Sequence, residues 1–163
     1  MTDALNLAGL VAGHARNRPS HPAVIWRDRE DEALDYREAW RRIEAGAARL
    51  ADAGIGRGDR VGLALGDHPT HLLLHYAVAR LGAVILPVDH RWTVAEQRDA
   101  ARAFDARCLL TDETDAGYGD FPVLQPDETW YRQPGQALPP MPEDGDLPVL
   151  ISLSSGTTGR PKG

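Results

Sequence analysis

The chain has 163 residues and a net charge of −6, and 42% of its residues are hydrophobic. This net negative charge argues against general binding to nucleic acid or to an anionic membrane. Cys108 is the single cysteine, which excludes an intrachain disulfide and a cysteine-based zinc site. The first residues lack the pattern expected of a signal peptide, and no apolar run of roughly 18 residues occurs. We therefore expect a cytoplasmic protein without a membrane span.

The N-terminal part of the sequence predicts a helix and then a hairpin. Asn6 is a suitable N-cap for the first helix. By spacing, the apolar face of that helix would consist of Leu7, Leu10, Val11 and His14. Short apolar runs at 23–26 and 33–34 flank a charged turn, a pattern typical of two antiparallel strands.

The next segment predicts a long amphipathic helix. Asp35 can cap it, and Glu38 stands at the position that completes a capping box. Gly54 is well placed as its C-terminal stop. We expect its charged side chains to face water: Arg37, Arg41, Arg42, Glu44 and Arg49.

Buried strands and helices then alternate along the chain. Apolar runs at 61–65, 84–88 and 108–111 read as strands that are buried on both faces. A helix from about Pro69 to a stop at Gly82 separates the first two runs. A second helix, with a capping box of Thr93 and Glu96, separates the last two. This alternation predicts an α/β fold with a mainly parallel sheet and flanking helices.

Beyond the third strand the composition changes. Residues 112–146 hold six of the 12 prolines and predict an extended connector, with strand character only at 121–124. Residues 147–163 then predict a buried strand followed by a glycine-rich loop. We treat residues 1–163 as one portion of a single domain.

The loop Ser154–Gly163 carries the strongest chemical signal. Its glycines allow backbone amides to approach anionic oxygens, and its hydroxyls add short donors. Lys162 is the only lysine in the chain, which indicates a need for a compact, mobile cation at that position. A flexible linker would have a similar composition. The apolar strand before the loop favours a triphosphate-binding site.

Two other groups of residues have the composition of possible sites. His68, His71 and His75 could share a helical face as metal ligands, but only Asp67 stands nearby as a fourth ligand. A solvated or locally capped histidine cluster is therefore the preferred interpretation. Asp89 and His90 could form a general-base pair, but adjacent residues rarely face each other, and a turn at a strand end explains both.

Three segments together resemble the adenylate-forming superfamily, which includes acyl-CoA synthetases, peptide-synthetase adenylation domains and luciferases. The most specific segment is LPVLISLSSGTTGRPKG at 147–163. The segments at 34–65 (LDYREAWRRIEAGAARLADAGIGRGDRVGLAL) and 76–112 (YAVARLGAVILPVDHRWTVAEQRDAARAFDARCLLTD) follow the family's order and spacing. The form ISLSSGTTGRPKG resembles acyl- and aryl-CoA ligases more than amino-acid adenylation domains.

The resemblance implies the N-terminal subdomain of the family's large domain, truncated before its later segments. It implies ATP, Mg²⁺ and coenzyme A as cofactors or co-substrates, a carboxylic acid as substrate, and the downstream part of the enzyme as partner. It also implies a set of residues that bind the β- and γ-phosphates of ATP: Ser154, Ser155, Gly156, Thr157, Thr158, Gly159 and Lys162.

The family's adenine-binding, ribose-binding and catalytic-lysine segments have no counterpart in these residues. The resemblance therefore implies no catalytic residue here, and we expect the 163 residues alone to be inactive. Two alternatives stay open: an adenylation domain of a peptide synthetase, and a non-catalytic paralogue that serves as an interaction module.

Overall fold

The computed structural model describes residues 6–26, 29–114, 116–131 and 137–153. The α-helices in these ranges are α1 (Leu7–Asn17), α2 (Tyr36–Asp52), α3 (Pro69–Arg80) and α4 (Val94–Ala103). The strands are β1 (Pro22–Trp26), β2 (Arg29–Asp35), β3 (Arg60–Ala64), β4 (Val84–Pro87), β5 (Ala106–Thr111) and β6 (Val123–Leu124). Short 3₁₀ turns lie at Ala116–Tyr118 and Glu128–Tyr131. Within the described ranges, no helix combines the length and hydropathy needed to cross a membrane.

A parallel sheet forms the centre of the molecule. Its strand order is β4-β3-β5-β6, and each neighbouring pair is parallel. The predicted hairpin is also present, with β1 antiparallel to β2. The sequence-based prediction of an α/β fold with a mainly parallel sheet is thus confirmed.

The strand predicted at 147–153 is reduced to a single parallel bridge between Leu150 and Ile85 on the outer side of β4. The amide of Ile85 donates to the carbonyl of Val149 over 2.8 Å. The amide of Ile151 donates to the carbonyl of Ile85 over 2.9 Å. This pairing directs the chain toward the edge of the sheet at which β4 ends.

Helices cover both faces of the sheet because alternate strand residues are apolar on each face. Val61, Leu63 and Leu110 pack with buried residues of α2 and α3 on one face. Leu86 and Leu109 pack with Ala101 of α4 on the other. The result is a three-layer arrangement that leaves the strand ends accessible between the helical layers.

The predicted apolar face of α1 is confirmed at Val11, which packs on the buried cluster shared by α2 and α3, and wrong at Leu10. Asn6 caps the helix as expected, its Oδ1 accepting from the amide of Ala8 over 2.8 Å. However, Ala8 and Ala12 are buried while Leu10 is 60% exposed. The Asn6 side chain also donates to the carbonyl of Ala79 in α3 over 2.9 Å. Small residues let α1 pack closely on its neighbours. The two alanines therefore occupy the most buried positions of the helix, and Leu10 stays exposed.

The capping box predicted at the start of α2 is only half formed. Asp35 Oδ1 accepts from the amide of Glu38 over 2.8 Å, as expected. The Glu38 carboxylate instead accepts from Arg41 over 2.7 Å and from Arg42 over 2.9 Å. At the start of α4, by contrast, Thr93 and Glu96 form the complete box.

These contacts make the stability contributed by Glu38 dependent on pH. Hydrogen bonds from Arg41 and then Arg42 lower the pKa of Glu38 from 4.5 to about 2. Because the pKa is lower in the folded state, we expect the stabilisation to be complete above pH 4.5 and lost as the pH falls toward 2. Since Glu38 is partly exposed, the difference from Glu38→Gln should be only about 0.5–1 kcal/mol at neutral pH. Chemical denaturation at several pH values measures it, and a difference independent of pH would contradict the assignment.

The connector covers part of α2, so Arg42, which was expected to face water, is half-buried. The carbonyl of Tyr131 accepts a hydrogen bond from Arg41, and the guanidinium of Arg42 lies 5.6 Å from the centre of the Tyr131 ring. Tyr131 is fully buried. Like Arg42, Arg49 is half-buried, two turns further along α2. The 3₁₀ turn that carries Tyr131 was not expected from the sequence.

Later parts of the connector also contact the helical layer. Arg80 donates to the carbonyl of Pro139 over 3.0 Å, and Arg57 pairs with Asp144 over 3.2 Å. Pro142 lies against Gly82, where a Cβ atom would be 2.7 Å from its Cγ. The described part of the connector from residue 137 therefore packs on the molecule.

Gly82 and Gly54 offer a matched test of this packing. Both have positive φ, +69° and +83°, so alanine should cost about 1–2 kcal/mol of backbone strain at either position. Only at Gly82 would the new methyl group also meet Pro142, which should add about 1–3 kcal/mol. We expect Gly82→Ala to lower the free energy of unfolding in urea by clearly more than Gly54→Ala. Equal losses would show that Pro142 does not pack there.

Candidate functional site

The carboxyl ends of the parallel strands meet at one edge of the sheet, here called the carboxyl edge. It comprises the residues that follow β3, β4, β5 and β6. From β3 the chain passes to β4 on one side, and from β4 it crosses to β5 on the other side of β3. The space between the ends of β3 and β5 is therefore the topological switch point, where ligands of open α/β sheets bind.

An open groove of about 430 Å³ lies at this switch point. Asp112, directly after β5, accepts a hydrogen bond from the amide of Gly66 over 2.8 Å. Its other carboxylate oxygen lies 3.3 Å from Nε2 of His71, and Nδ1 of His71 contacts the carbonyl of Gly66. These contacts join the end of β3, the first turns of α3 and the end of β5.

His68, directly before α3, and His71 and His75 within α3 make different contacts. The rings of His68 and His71 are 5.3 Å apart, and Trp26 of the hairpin lies 4.9 Å from the ring of His68. His75 bonds through Nδ1 to the carbonyl of His71 over 2.9 Å. Among the residues that the structure describes, no three His, Cys, Asp or Glu side chains are arranged to hold a metal ion. The contacts support the interpretation of a locally bonded histidine cluster.

The turn after β4 explains the Asp89-His90 pair. Asp89 accepts from the amide of Arg91 over 2.9 Å and forms a bidentate pair with its guanidinium. These bonds from Arg91 hold the pKa of Asp89 well below its usual range. A carboxylate with so low a pKa is a poor general base at neutral pH.

Cys108 is also unsuited to covalent chemistry. It lies within β5 and is buried. Burial raises the pKa of its thiol to about 12, so the reactive thiolate is not formed at neutral pH.

The phosphate-binding loop predicted from the sequence lies outside the described residues. This applies to Ser154, Ser155, Gly156, Thr157, Thr158, Gly159 and Lys162. The structure describes the strand that leads to them. Leu150 pairs in parallel with Ile85, and Leu153 packs on the buried cluster that contains Leu86 of β4 and Val88.

Comparison with known proteins identifies the family. Residues 11–163 match the sequence profile of the AMP-binding enzyme family. The chain belongs to the AMP-binding enzyme family. Within that family it corresponds to the N-terminal part of an adenylate-forming enzyme, as its resemblance implied.

The AMP-binding relatives include both ligases and synthetases. The 2-succinylbenzoate–CoA ligase of Bacillus pumilus is 30% identical over 149 residues, which cover 89% of this chain and 30% of that ligase. The phosphinothricin tripeptide synthetase PhsC of Streptomyces viridochromogenes is 32% identical over 168 residues, which cover 96% of this chain and 15% of that synthetase. The chain therefore spans less than a third of either relative.

A solved structure has the same fold. The N-terminal subdomain of NpsA from Klebsiella oxytoca, in complex with 3-hydroxybenzoyl-AMSN, matches with a TM-score of 0.80 and 26% identity. The match covers 96% of this chain and 39% of the NpsA chain.

Sequence reasoning missed the partners that come from distant parts of the chain. Asp112 was predicted to be the start of the connector, and its contact with His71 joins the end of β5 to α3. The buried Gln97 was not singled out either. A glutamine on the face of α4 that carries Ala100 and Ala101 was the available signal, because a polar residue on a buried helical face needs a bonding partner.

Proposed function

We propose that the chain is the N-terminal portion of an ATP-dependent carboxylic acid–CoA ligase. Such an enzyme forms an acyl-adenylate and then a thioester with coenzyme A. The observation that carries the proposal is the pairing of residues 149–151 with β4 of a parallel sheet, directly before the sequence of the loop Ser154–Gly163. The carboxyl edge of such a sheet is where ligands of α/β proteins bind.

The proposed role of the loop is to bind the β- and γ-phosphates of ATP. An oxygen of the substrate carboxylate attacks the α-phosphorus, and the bond to the bridging oxygen of pyrophosphate breaks. Backbone amides of residues 156–159 and the ammonium group of Lys162 would orient pyrophosphate and neutralise its growing negative charge. Ser154 and Ser155 would stand at the entry of the loop. No proton donor or base is required of these residues for that step.

The loop's donor set also fits the cation that accompanies ATP. Hydroxyl oxygens are suitable ligands for Mg²⁺, and the loop offers four of them: Ser154, Ser155, Thr157 and Thr158. When bound, Mg²⁺ would neutralise part of the phosphate charge. Because ATP and coenzyme A are intracellular metabolites, a cytoplasmic location belongs to this proposal.

The electrostatics of the neighbouring turn are compatible with an anionic ligand. Asp89 follows β4, the strand beside which the loop begins. Its carboxylate is paired with the guanidinium of Arg91 through bonds of 2.7 and 2.9 Å. The pair has no net charge, so this carboxylate adds little repulsion toward a triphosphate.

The tripeptide synthetase among the relatives supports a second candidate, an amino-acid adenylation domain. Both candidates use the same first reaction, and they differ in the carboxylate and in the acceptor. The motif ISLSSGTTGRPKG favours the CoA ligase.

Pyrophosphate exchange with the full-length enzyme tests the proposal. Labelled pyrophosphate should enter ATP only in the presence of a suitable carboxylic acid, and addition of coenzyme A should then yield the thioester. A panel of fatty, aryl and amino acids separates the two candidates. Exchange with amino acids alone would favour the adenylation domain. No exchange with any acid would overturn both and favour a non-catalytic module.

A further inference from the structure

A chain of buried polar side chains crosses the layer between α4 and the sheet. Gln97 and Thr111 are 0% exposed, and Tyr118 is 4% exposed. Tyr118 Oη lies 2.6 Å from Gln97 Oε1 and 3.2 Å from Thr111 Oγ1. Buried polar groups of this kind are costly unless each is bonded, and here each has a partner.

The direction of these hydrogen bonds follows from their chemistry. The amide oxygen of Gln97 can only accept, so Tyr118 donates its single hydroxyl proton to Gln97. Thr111 must then donate to Tyr118. Thr111 Oγ1 in turn accepts from the backbone amide of Glu113 over 3.1 Å. The bonds therefore run in one direction, from the end of β5 to the amide group of Gln97.

The chain ends on the turn that follows β4. Gln97 Nε2 donates to the carbonyl of Trp92 over 2.9 Å and to the carbonyl of His90 over 3.2 Å. The turn is closed by a bond from the amide of Trp92 to the carbonyl of Asp89 over 3.1 Å. Both hydrogens of the Gln97 amide thus hold backbone oxygens of residues 89–92, here called the β4 turn.

The β4 turn stands beside the strand that leads to the loop. Three residues after its bridge to Ile85 through Leu150, the chain places Leu153 on the buried cluster that contains Val88, the residue before the turn. Trp92 of the turn and Leu153 both pack on the buried cluster that contains Leu86 and Val88. The β4 turn and Leu153 therefore pack on the same buried cluster.

We infer that Gln97 and Tyr118 are positioning residues. They hold the β4 turn and, through the shared cluster, the end of strand 149–153 from which the phosphate-binding loop departs. The inference rests on the proposed function. Neither side chain is placed in contact with ATP, so each acts through the backbone that it holds.

Two variants of the full-length enzyme remove hydrogen bonds that Gln97 makes with Tyr118 or with the β4 turn, and neither leaves a large cavity. Gln97→Leu removes the donors to the turn, and Tyr118→Phe removes only the hydroxyl. In both we expect faster amide hydrogen exchange in a peptide covering residues 88–93. Val78→Ala, a truncation at a buried site on the opposite face, is the control for lost stability. It should leave exchange in this peptide unchanged.

Pyrophosphate exchange supplies the functional readout. We expect Gln97→Leu to raise KM for ATP about tenfold or more, because small displacements of positioning groups are costly. The double variant Gln97→Leu/Tyr118→Phe removes the donor and the acceptor of the Tyr118–Gln97 bond together, so it should lose less stability than the sum of the two single variants. Its KM should nevertheless stay high, and KM of Val78→Ala should equal that of the wild type.

The outcomes are distinct. A KM that returns to the wild-type value in the double variant, or that rises equally in Val78→Ala, would show a purely structural role and overturn the inference. Normal exchange kinetics in Gln97→Leu would overturn it as well, with the proposed function intact. Absence of exchange in the wild type would overturn the proposed function and the inference together.

Discussion

Lys162→Ala should lower kcat/KM for ATP by about 10- to 150-fold in the full-length enzyme. Under the proposed function, the substitution removes a charge-assisted hydrogen bond to a phosphate oxygen, and such bonds contribute about 1.5–3 kcal/mol. Lys162 is the only lysine in the chain, so no neighbouring lysine among these residues can replace it. Pyrophosphate exchange at several ATP concentrations measures the effect.

Arg160→Ala is the matched control for this variant. It removes one positive charge from the same loop, two residues away, and is expected to have a much smaller effect. If both variants lost activity equally, the loop would act through general charge and not through a specific contact of Lys162. An unchanged rate for Lys162→Ala would remove that residue from the mechanism.

Leu109→Ala should lower the free energy of unfolding by about 2–5 kcal/mol. Leu109 lies in β5 at the centre of the sheet and is fully buried against the α4 layer. The loss combines the transfer of the side chain with the cavity that remains. Urea denaturation measures it. Leu150→Ala is the control, since Leu150 is 52% exposed and its truncation should cost less than about 1 kcal/mol.

A double variant tests whether Leu109 fills the space above Gly62. A Cβ atom on Gly62 would lie 2.6 Å from Cδ1 of Leu109, so Gly62→Ala alone should overpack the core. In Gly62→Ala/Leu109→Ala the new methyl group meets no leucine. We expect the double variant to lose about 0.5–3 kcal/mol less than the sum of the single variants. Additive losses would contradict the packing.

Local signals in the sequence were sufficient for most of the fold. Asn6, Asp35 and Thr93 cap the helices that they were expected to cap, because a capping bond depends only on residues within one turn. The buried strands were recognised by their unbroken apolar runs. Their parallel arrangement followed from the helices between them.

Tertiary contacts decided the features that sequence reasoning missed. The buried face of α1 is set by alanines that allow close packing, and apolar spacing alone pointed to Leu10. Arg42 was expected in water because its cover, Tyr131, comes from far along the chain. The Glu38 carboxylate bonds to two arginines of the same helix, so it does not form the second bond of the capping box.

The candidate site also has residues that the sequence predicts and contacts that it does not. The phosphate-binding residues were assigned by motif and resemblance, and their assignment remains a prediction. The side-chain contacts of Asp112 with His71 and of Gln97 with Tyr118 join residues from separate elements. No single-residue pattern could have paired them.

A crystal structure of the full-length enzyme with a non-hydrolysable ATP analogue tests the central claim most directly. The account predicts the β- and γ-phosphates within hydrogen-bonding distance of the amides of residues 156–159 and of the Lys162 ammonium group, next to the end of β4. Phosphates bound elsewhere, with the segment Ser154–Gly163 making no contact with them, would contradict it.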